Sequence, residues 1–298
     1  SSQIEKMPLW TPDQQRVKNS RMRDFADYCT QRVSIDFPDY SALHQWSVSE
    51  PEAFWGALWD YAGVIGEKGA RVVADVEKMP GARFFPDSKL NFAENLLRQT
   101  GNGEAIVFRG ENKVHRSLSW DQLHALVSRL QQAFVAAGVQ PGDRIAAMLP
   151  NLPETIACML AASSIGAIWS SCSPDFGEQG VLDRFGQIKP VLFIACDGYW
   201  YNGKPIDVSA KVAAIVPNLS ATKTIVVPYG GDGLSASTLI PGSESLASFI
   251  ETFNARPVTF ERSPFSHPLY ILFSSGSDFR SWSLLTPFSA ATVSLTAR

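Results

Sequence analysis

From Ala105 onward the sequence alternates short apolar runs, Val191 to Cys196 fully so, with stretches whose apolar residues recur every three or four positions, and this alternation constrains the fold most. Arg144 to Leu149, Ala167 to Cys172, Val191 to Cys196, Thr224 to Val227 and Leu269 to Phe273 read as strands with no polar face. Between them, helical spacing is read over Leu123–Phe134, Pro153–Met159, Glu178–Gln187, Ile206–Val216 and Ser245–Phe253. A strand that is apolar on both faces has to be covered on both, so the pattern predicts an α/β fold with a largely parallel sheet between helices.

Local punctuation supports the same reading. Ala105–Phe108 and Val114–Leu118 flank the polar tetrad Gly110-Glu111-Asn112-Lys113, a hairpin pattern. Ser119 and Gln122 form a capping-box pair ahead of the helix that Gly138 ends. Pro141-Gly142-Asp143 turns the chain into the next strand, and Pro153 suits the first turn of the helix after it.

The first hundred residues differ. A helix is predicted from Thr11, with Pro12 in its first turn, through Phe25 and Tyr28 towards Arg32, where Asp36-Phe37-Pro38-Asp39 breaks it. A second is predicted after Ser49-Glu50-Pro51. Its Phe54, Trp55, Trp59 and Tyr61 read as packing surface that docks an N-terminal extension onto a larger body.

The 298 residues carry a net charge of −3 with no Lys/Arg block, which argues against a nucleic-acid partner. Cys29, Cys158, Cys172 and Cys196 have no paired spacing and read as reduced, buried thiols of a cytoplasmic protein. Ile156 to Trp169 is too short to span a bilayer, and no membrane partner is expected. The residues after Ser1 lack the apolar stretch of a secretory signal, and Asn218-Leu219-Ser220 is a chance glycosylation pattern. His44, His115, His124 and His267 do not cluster at metal-ligand spacing, so no metal site is assigned. No G-x-S-x-G elbow is present, and Gly101-Asn102-Gly103 lacks the third glycine of a dinucleotide fingerprint.

In an open α/β sheet, ligands sit beyond the carboxyl ends of the strands. That singles out Cys172–Gly177, Asp197–Lys204 and the residues after Phe273. The last of these runs from a buried strand into Ser274-Ser275-Gly276. Hydroxyls and backbone N–H groups at such a corner can cradle phosphate, although Ser-Ser-Gly also occurs in plain turns.

Four stretches resemble the acetoacetyl-CoA branch of the adenylate-forming acyl-CoA synthetases. They are Met7-Pro8-Leu9-Trp10; Leu43-His44-Gln45-Trp46-Ser47-Val48 with Phe54-Trp55; Phe84-Phe85-Pro86 leading to Leu90-Asn91-Phe92-Ala93-Glu94-Asn95-Leu96-Leu97; and Leu272-Phe273-Ser274-Ser275-Gly276. The first three favour the acetoacetate branch over the acetate branch. The resemblance implies the N-terminal part of an adenylate-forming enzyme. Residues 1–100 would be a helical extension, 101–276 an incomplete α/β part of the AMP-binding domain, and 277–298 an aberrant tail.

It also implies an acetoacetate–CoA ligase. The acid's carboxylate attacks the α-phosphate of ATP to give an acyl-adenylate and diphosphate, Mg²⁺ offsets the phosphate charge, and the CoA thiol then displaces AMP. An acetyl- or other short-chain acyl-CoA synthetase is the alternative. A non-catalytic CoA- or nucleotide-binding module, or an inert remnant, is the alternative of another class.

By the same resemblance, Ser274, Ser275, Gly276 and Ser277 are a remnant of the ATP phosphate loop. Gly203 and Lys204, within Tyr201-Asn202-Gly203-Lys204, match the loop that meets the CoA phosphates. Ser173–Gly177 matches the loop lining the CoA tunnel, with Pro174 and Asp175 in place of family glycines. No catalytic residue is assigned within the chain, because the family's adenylation lysine and most of its acid pocket correspond to positions past Arg298.

The family's phosphate loop continues with a glycine and Pro-Lys, whereas here Asp278, Phe279 and Trp282 follow. The tail is therefore expected to be the family's message read in a shifted frame. If Ser277 to Ser283 are encoded TCG GAC TTC CGA AGC TGG TCG, reading from the third base gives Gly-Leu-Pro-Lys-Leu-Val. The 298-residue chain alone is expected to have no ligase turnover.

Overall fold

The computed structural model describes residues 7–229, 240–273 and 284–287. The chain divides into two compact units, one running up to Val64 and resumed by Gly69–Pro86, the other made of Ile65–Lys68 and the chain from Asp87 onward.

In the first unit, helices α2 (Arg21–Val33), α3 (Tyr40–Ser49) and α4 (Pro51–Ala62) surround an aromatic core, and the exposed α1 (Gln14–Lys18) precedes them. The single helix expected from Thr11 is two, for a local reason. Asp13, not Thr11, caps α1, and the Ser20 hydroxyl accepts from the Arg23 N–H at 3.1 Å, which restarts the chain as α2. Ser34, in the left-handed region, ends α2 ahead of the expected break. Helix α3 was not anticipated; the Asp39 carboxylate starts it by accepting from the Ala42 N–H at 2.8 Å. Pro51 opens α4 and Gly63, at φ +60°, closes it. Phe25 meets Phe54 edge-on, Phe37 lies 4.9 Å from Trp46, and Trp59 lies 4.7 Å from Phe85. The α4 aromatics thus build a core of the unit's own.

The second unit holds α5 (Phe92–Leu96), the hairpin β1 (Glu104–Gly110) and β2 (Val114–Ser119), and α6 (Trp120–Ala136). It continues with β3 (Arg144–Met148), α7 (Pro153–Ser164), β4 (Ile168–Cys172), α8 (Glu178–Ile188) and β5 (Leu192–Cys196). Then come the hairpin β6 (Gly198–Tyr201) and β7 (Lys204–Asp207), α9 (Ser209–Ile215), β8 (Lys223–Val227), β9 (Ser243–Ser245), α10 (Leu246–Ile250), β10 (Pro268–Leu272) and β11 (Leu284–Pro287).

The main sheet has strand order β9-β8-β5-β3-β4-β10-β11. All pairings are parallel except β10 with β11. All of β5 and all of β3 after Arg144 are buried, as strands covered on both faces must be. From β3 the chain crosses by α7 to β4 on one side, then by α8 back past β3 to β5 on the other. Right-handed crossovers in opposite directions place α7 and α8 on opposite faces. The Ser119–Gln122 capping box is formed in both directions at the start of α6.

Ile206 belongs to strand β7, not to a helix, and α9 starts at Ser209, whose N–H is taken by the Asp207 carboxylate at 2.8 Å. A small three-stranded sheet pairs Lys89–Leu90 with Gly66–Glu67 on one side and Ser263–Pro264 on the other. Among the described residues no helix is long and apolar enough to cross a membrane.

Candidate functional site

Strand order reverses between β3, whose connection leads one way, and β5, whose connection leads the other; beyond the carboxyl ends of such a pair a crevice opens. A cavity of about 670 Å³ lies there, within the range of small-molecule sites. Leu149 and Pro150 leaving β3, Cys172 to Asp175 leaving β4, and Tyr199 to Tyr201 of β6 line it. Tyr229 beyond β8, Phe108 to Glu111 of the β1–β2 hairpin, and Asn151, Thr155 and Ser171 also line it.

Buried groups behind the cavity fix its walls. Asp197, buried at the end of β5, accepts the Tyr229 N–H at 2.6 Å, and its own N–H donates to the Val227 carbonyl at 3.3 Å. The Tyr229 ring stands edge-on to Phe108 at 5.8 Å and close over Gly110. On the opposite wall the Lys211 ammonium of α9 donates to the carbonyls of Pro174 (2.6 Å) and Phe176 (2.9 Å). The Arg184 guanidinium lies 4.6 Å over the Phe176 ring. Two cations therefore hold the 173–177 loop, one through its carbonyls and one over the Phe176 ring.

The two hairpins also meet. The Gly203 N–H donates to the Glu111 carboxylate at 2.7 Å, and the Lys113 ammonium lies 5.5 Å over the Trp200 ring.

Electrostatically the interior of the site favours neutral groups. Burial pushes the Cys172 thiol up to about 12 despite Arg184 and Lys211 nearby, so it stays protonated and unreactive at neutral pH. Burial, and then the Glu111 charge, push the Tyr229 phenol up. Burial raises Cys196 to about 12. The site as described offers aromatic surface with polar and charged side chains such as Arg109, Asn151 and Asp175, and no poised nucleophile among its thiols.

Of the stretches singled out from the sequence, Cys172–Asp175 and Tyr199–Tyr201 converge on this cavity. Asn202 (φ +51°) and Gly203 (φ +75°) form the two-residue turn between β6 and β7, with Tyr201 opposite Lys204 in register. Two successive positive φ angles are what a type I′ hairpin turn requires. Lys204 is exposed on this hairpin. Ser274, Ser275, Gly276 and Ser277 lie outside the described residues, as does the Gly230–Gly233 run. Three of the four histidines are engaged singly: His44 stacks on Tyr40, while ring nitrogens of His124 and His267 each lie 2.8 Å from a backbone carbonyl. No group of three His, Cys, Asp or Glu placed to hold a metal exists among the described residues.

Sequence reasoning included Asp197 at the head of a singled-out stretch and missed Tyr229, Gly110, Glu111 and Lys211 as site residues. The dipeptide Asn202-Gly203 between alternating residues was the available signal for the β6–β7 hairpin. A lone carboxylate at the end of an apolar strand was the signal for Asp197.

The model of AMP-binding enzymes matches residues 92–278, well over half of the sequence. The chain belongs to the AMP-binding enzyme family. The acetyl-coenzyme A synthetase N-terminus model matches residues 40–96. An acetoacetyl-coenzyme A synthetase of Rhizobium meliloti (strain 1021) is 60% identical over 270 residues, covering 91% of this chain and 41% of the relative. An acetoacetyl-CoA synthetase of Xenopus tropicalis is 35% identical over 286 residues, covering 92% and 42%.

The solved acetoacetyl-CoA synthetase of Streptomyces lividans superposes with a TM-score of 0.83 at 36% identity, covering 91% of this chain and 42% of that one. The chain therefore has the fold of the corresponding part of an adenylate-forming enzyme. It spans about two fifths of the length of these relatives. For an AMP-binding enzyme, the cavity at the switch point is the place where the fold presents its strand ends to ligand.

Proposed function

We infer that this chain is the front part of an acetoacetate–CoA ligase that makes an acyl-adenylate from ATP and passes the acyl group to CoA. One observation carries the reading: the switch-point cavity is built by a chain 60% identical over 270 residues to an acetoacetyl-coenzyme A synthetase. On this reading the cavity receives part of CoA. The aromatic wall of Phe108, Tyr199, Trp200 and Tyr229 offers apolar contact, and the Asn202–Lys204 turn offers a backbone N–H and an ammonium to phosphate. ATP would meet the Ser274–Ser277 corner, with Mg²⁺ entering alongside the triphosphate. The setting is cytoplasmic, consistent with four unpaired thiols.

The match of residues 40–96 to an acetyl-coenzyme A synthetase model supports acetate or another short acid as the second reading. Replacing the matching part of the Rhizobium meliloti enzyme with residues 7–273 separates the two. Acetoacetate-dependent release of AMP and formation of a CoA thioester is the expected outcome. A preference for acetate would move the assignment to the second reading, and silence with every acid would end both.

The chain as it stands has Asp278, Phe279 and Trp282 where the family has glycine and Pro-Lys, so the loop's glycine and its lysine are not in the sequence there. The 298-residue chain is thus expected to form no AMP from acetoacetate and ATP, and measurable turnover would refute this. Sequencing the gene past the Gly276 codon tests the shifted frame: the bases there should spell Gly-x-Pro-Lys in another frame.

A further inference from the structure

The hairpin turn that would meet the CoA phosphates already holds an anion of the protein's own. Asn202 and Gly203 both take positive φ, in the turn that sets Tyr201 opposite Lys204. That N–H donates to the Glu111 Oε2 at 2.7 Å. A carboxylate on a backbone donor has the same chemistry as a phosphate oxygen in that place.

Glu111 reaches the turn from an unfavourable backbone position. Its φ is +52°, which glutamate seldom adopts, in the tight β1–β2 turn closed by the Lys113 N–H to the Gly110 carbonyl at 3.0 Å. A strained residue whose side chain bridges two elements at the rim of a cavity is the kind of outlier that marks a functional contact. Glu111 also lines the cavity itself, alongside Tyr199 and Tyr201.

We propose that Glu111 is an internal competitor for phosphate: its carboxylate occupies the Gly203 donor, and a phosphate-bearing ligand seats at the Asn202–Lys204 turn by displacing it. The proposal rests on the CoA reading given above and adds a specificity element to it. With Glu111 in place, a ligand without phosphate gains nothing at the turn, whereas a phosphate, with more charge and more oxygens, can outbid a single carboxylate. Displacement would also break one contact that joins the two hairpins, leaving the Lys113 ammonium over the Trp200 ring.

The test is calorimetric titration of the 298-residue chain and three variants with CoA and, as the phosphate-free probe, pantetheine. Glu111→Gly removes the carboxylate and suits the turn's positive φ, so it folds at least as well as the parent. Glu111→Gln keeps an acceptor without charge. Lys204→Ala removes the ammonium.

The expected result is CoA binding about threefold to tenfold tighter in Glu111→Gly, a smaller gain in Glu111→Gln, and a loss in Lys204→Ala, the scale of one exposed charged hydrogen bond. Pantetheine binding should not change. Hydrogen exchange at the Gly203 amide should quicken in unliganded Glu111→Gly. CoA binding that is unchanged or weaker in Glu111→Gly, or an equal gain for pantetheine, overturns the proposal while leaving the CoA reading in place. Absence of CoA binding in the parent and in both Glu111 variants overturns the CoA reading and the competitor with it.

Discussion

The phenol oxygen of Tyr229 lies 2.1 Å from where a Cβ on Gly110 would stand, with the ring carbon beneath it 3.2 Å away. Gly110 is buried at the end of β1, so its missing side chain is the space that Tyr229 fills. Tyr229 is in turn anchored through its N–H to the buried Asp197 carboxylate. A residue from the first hairpin thereby sets the position of a ring at the end of β8, across the cavity mouth.

Gly110→Ala should therefore cost about 1–3 kcal/mol, the usual range for overpacking. Removing the phenol oxygen relieves most of the overlap, because the next contact is at 3.2 Å. The double variant Gly110→Ala/Tyr229→Phe should recover much of the loss. Denaturant melts of the four proteins in this cycle check it, and a double variant no more stable than Gly110→Ala alone would show that Tyr229 is not the obstacle.

Asn91 joins three segments of the second unit. Its buried amide donates to the carbonyls of Ser163 (2.9 Å) and Glu261 (2.8 Å), and its Oδ1 accepts from the Glu94 N–H as the cap of α5. Asn91→Ala should destabilise by about 2–4 kcal/mol, since carbonyls buried with it lose their donor and the helix loses its cap. Asn91→Asp should be worse than Asn91→Ala at neutral pH, because a carboxylate would face those carbonyls. A shift in urea midpoint in that order is the expected observation.

How much of this was readable in the sequence depended on distance along the chain. Strands β3 and β5 were legible because burial on both faces leaves no polar position, and α6 because Ser119 and Gln122 cap it within three residues. Boundaries failed where a short side chain chose locally between continuing and restarting a helix, as Ser20 does between α1 and α2 and Asp207 ahead of α9. The β6–β7 hairpin was hidden by the apolar Ile206, which reads equally well as the start of a helix. The site itself was legible only as strand ends. Its walls join residues far apart in sequence, Glu111 with Gly203 and Asp197 with Tyr229, and no local pattern encodes such pairs.

Lys211 gives a loop-specific prediction. Its two bonds to the carbonyls of Pro174 and Phe176 are what ties α9 to the loop after β4. Lys211→Met keeps the aliphatic stem but cannot donate, so global stability should fall by only about 1–2 kcal/mol. Hydrogen exchange within residues 173–177 should rise sharply, and CoA affinity should drop with it. A uniform rise in exchange across the second unit, without concentration at this loop, would contradict the local role.

Alkaline pH should unfold the chain earlier than its modest charge suggests. Burial holds the Cys172 and Cys196 thiols near 12 against an ordinary 9.0, Cys29 near 11, and the Tyr270 phenol near 12 against 10.0; Cys158 is raised as well. Each of these groups is neutral when protonated, and the folded state retains the proton to a higher pH than the unfolded chain does. Their contribution is complete below pH 9 and is lost as pH rises from about 9 to about 12, because there the unfolded chain binds fewer protons. Thermal melts between pH 7 and 11 should fall most steeply above pH 9. Replacing Cys172 and Cys196 with alanine or valine should flatten that slope even where it lowers stability at pH 7. An unchanged alkaline slope in the double variant would mean that the thiols ionise alike in both states.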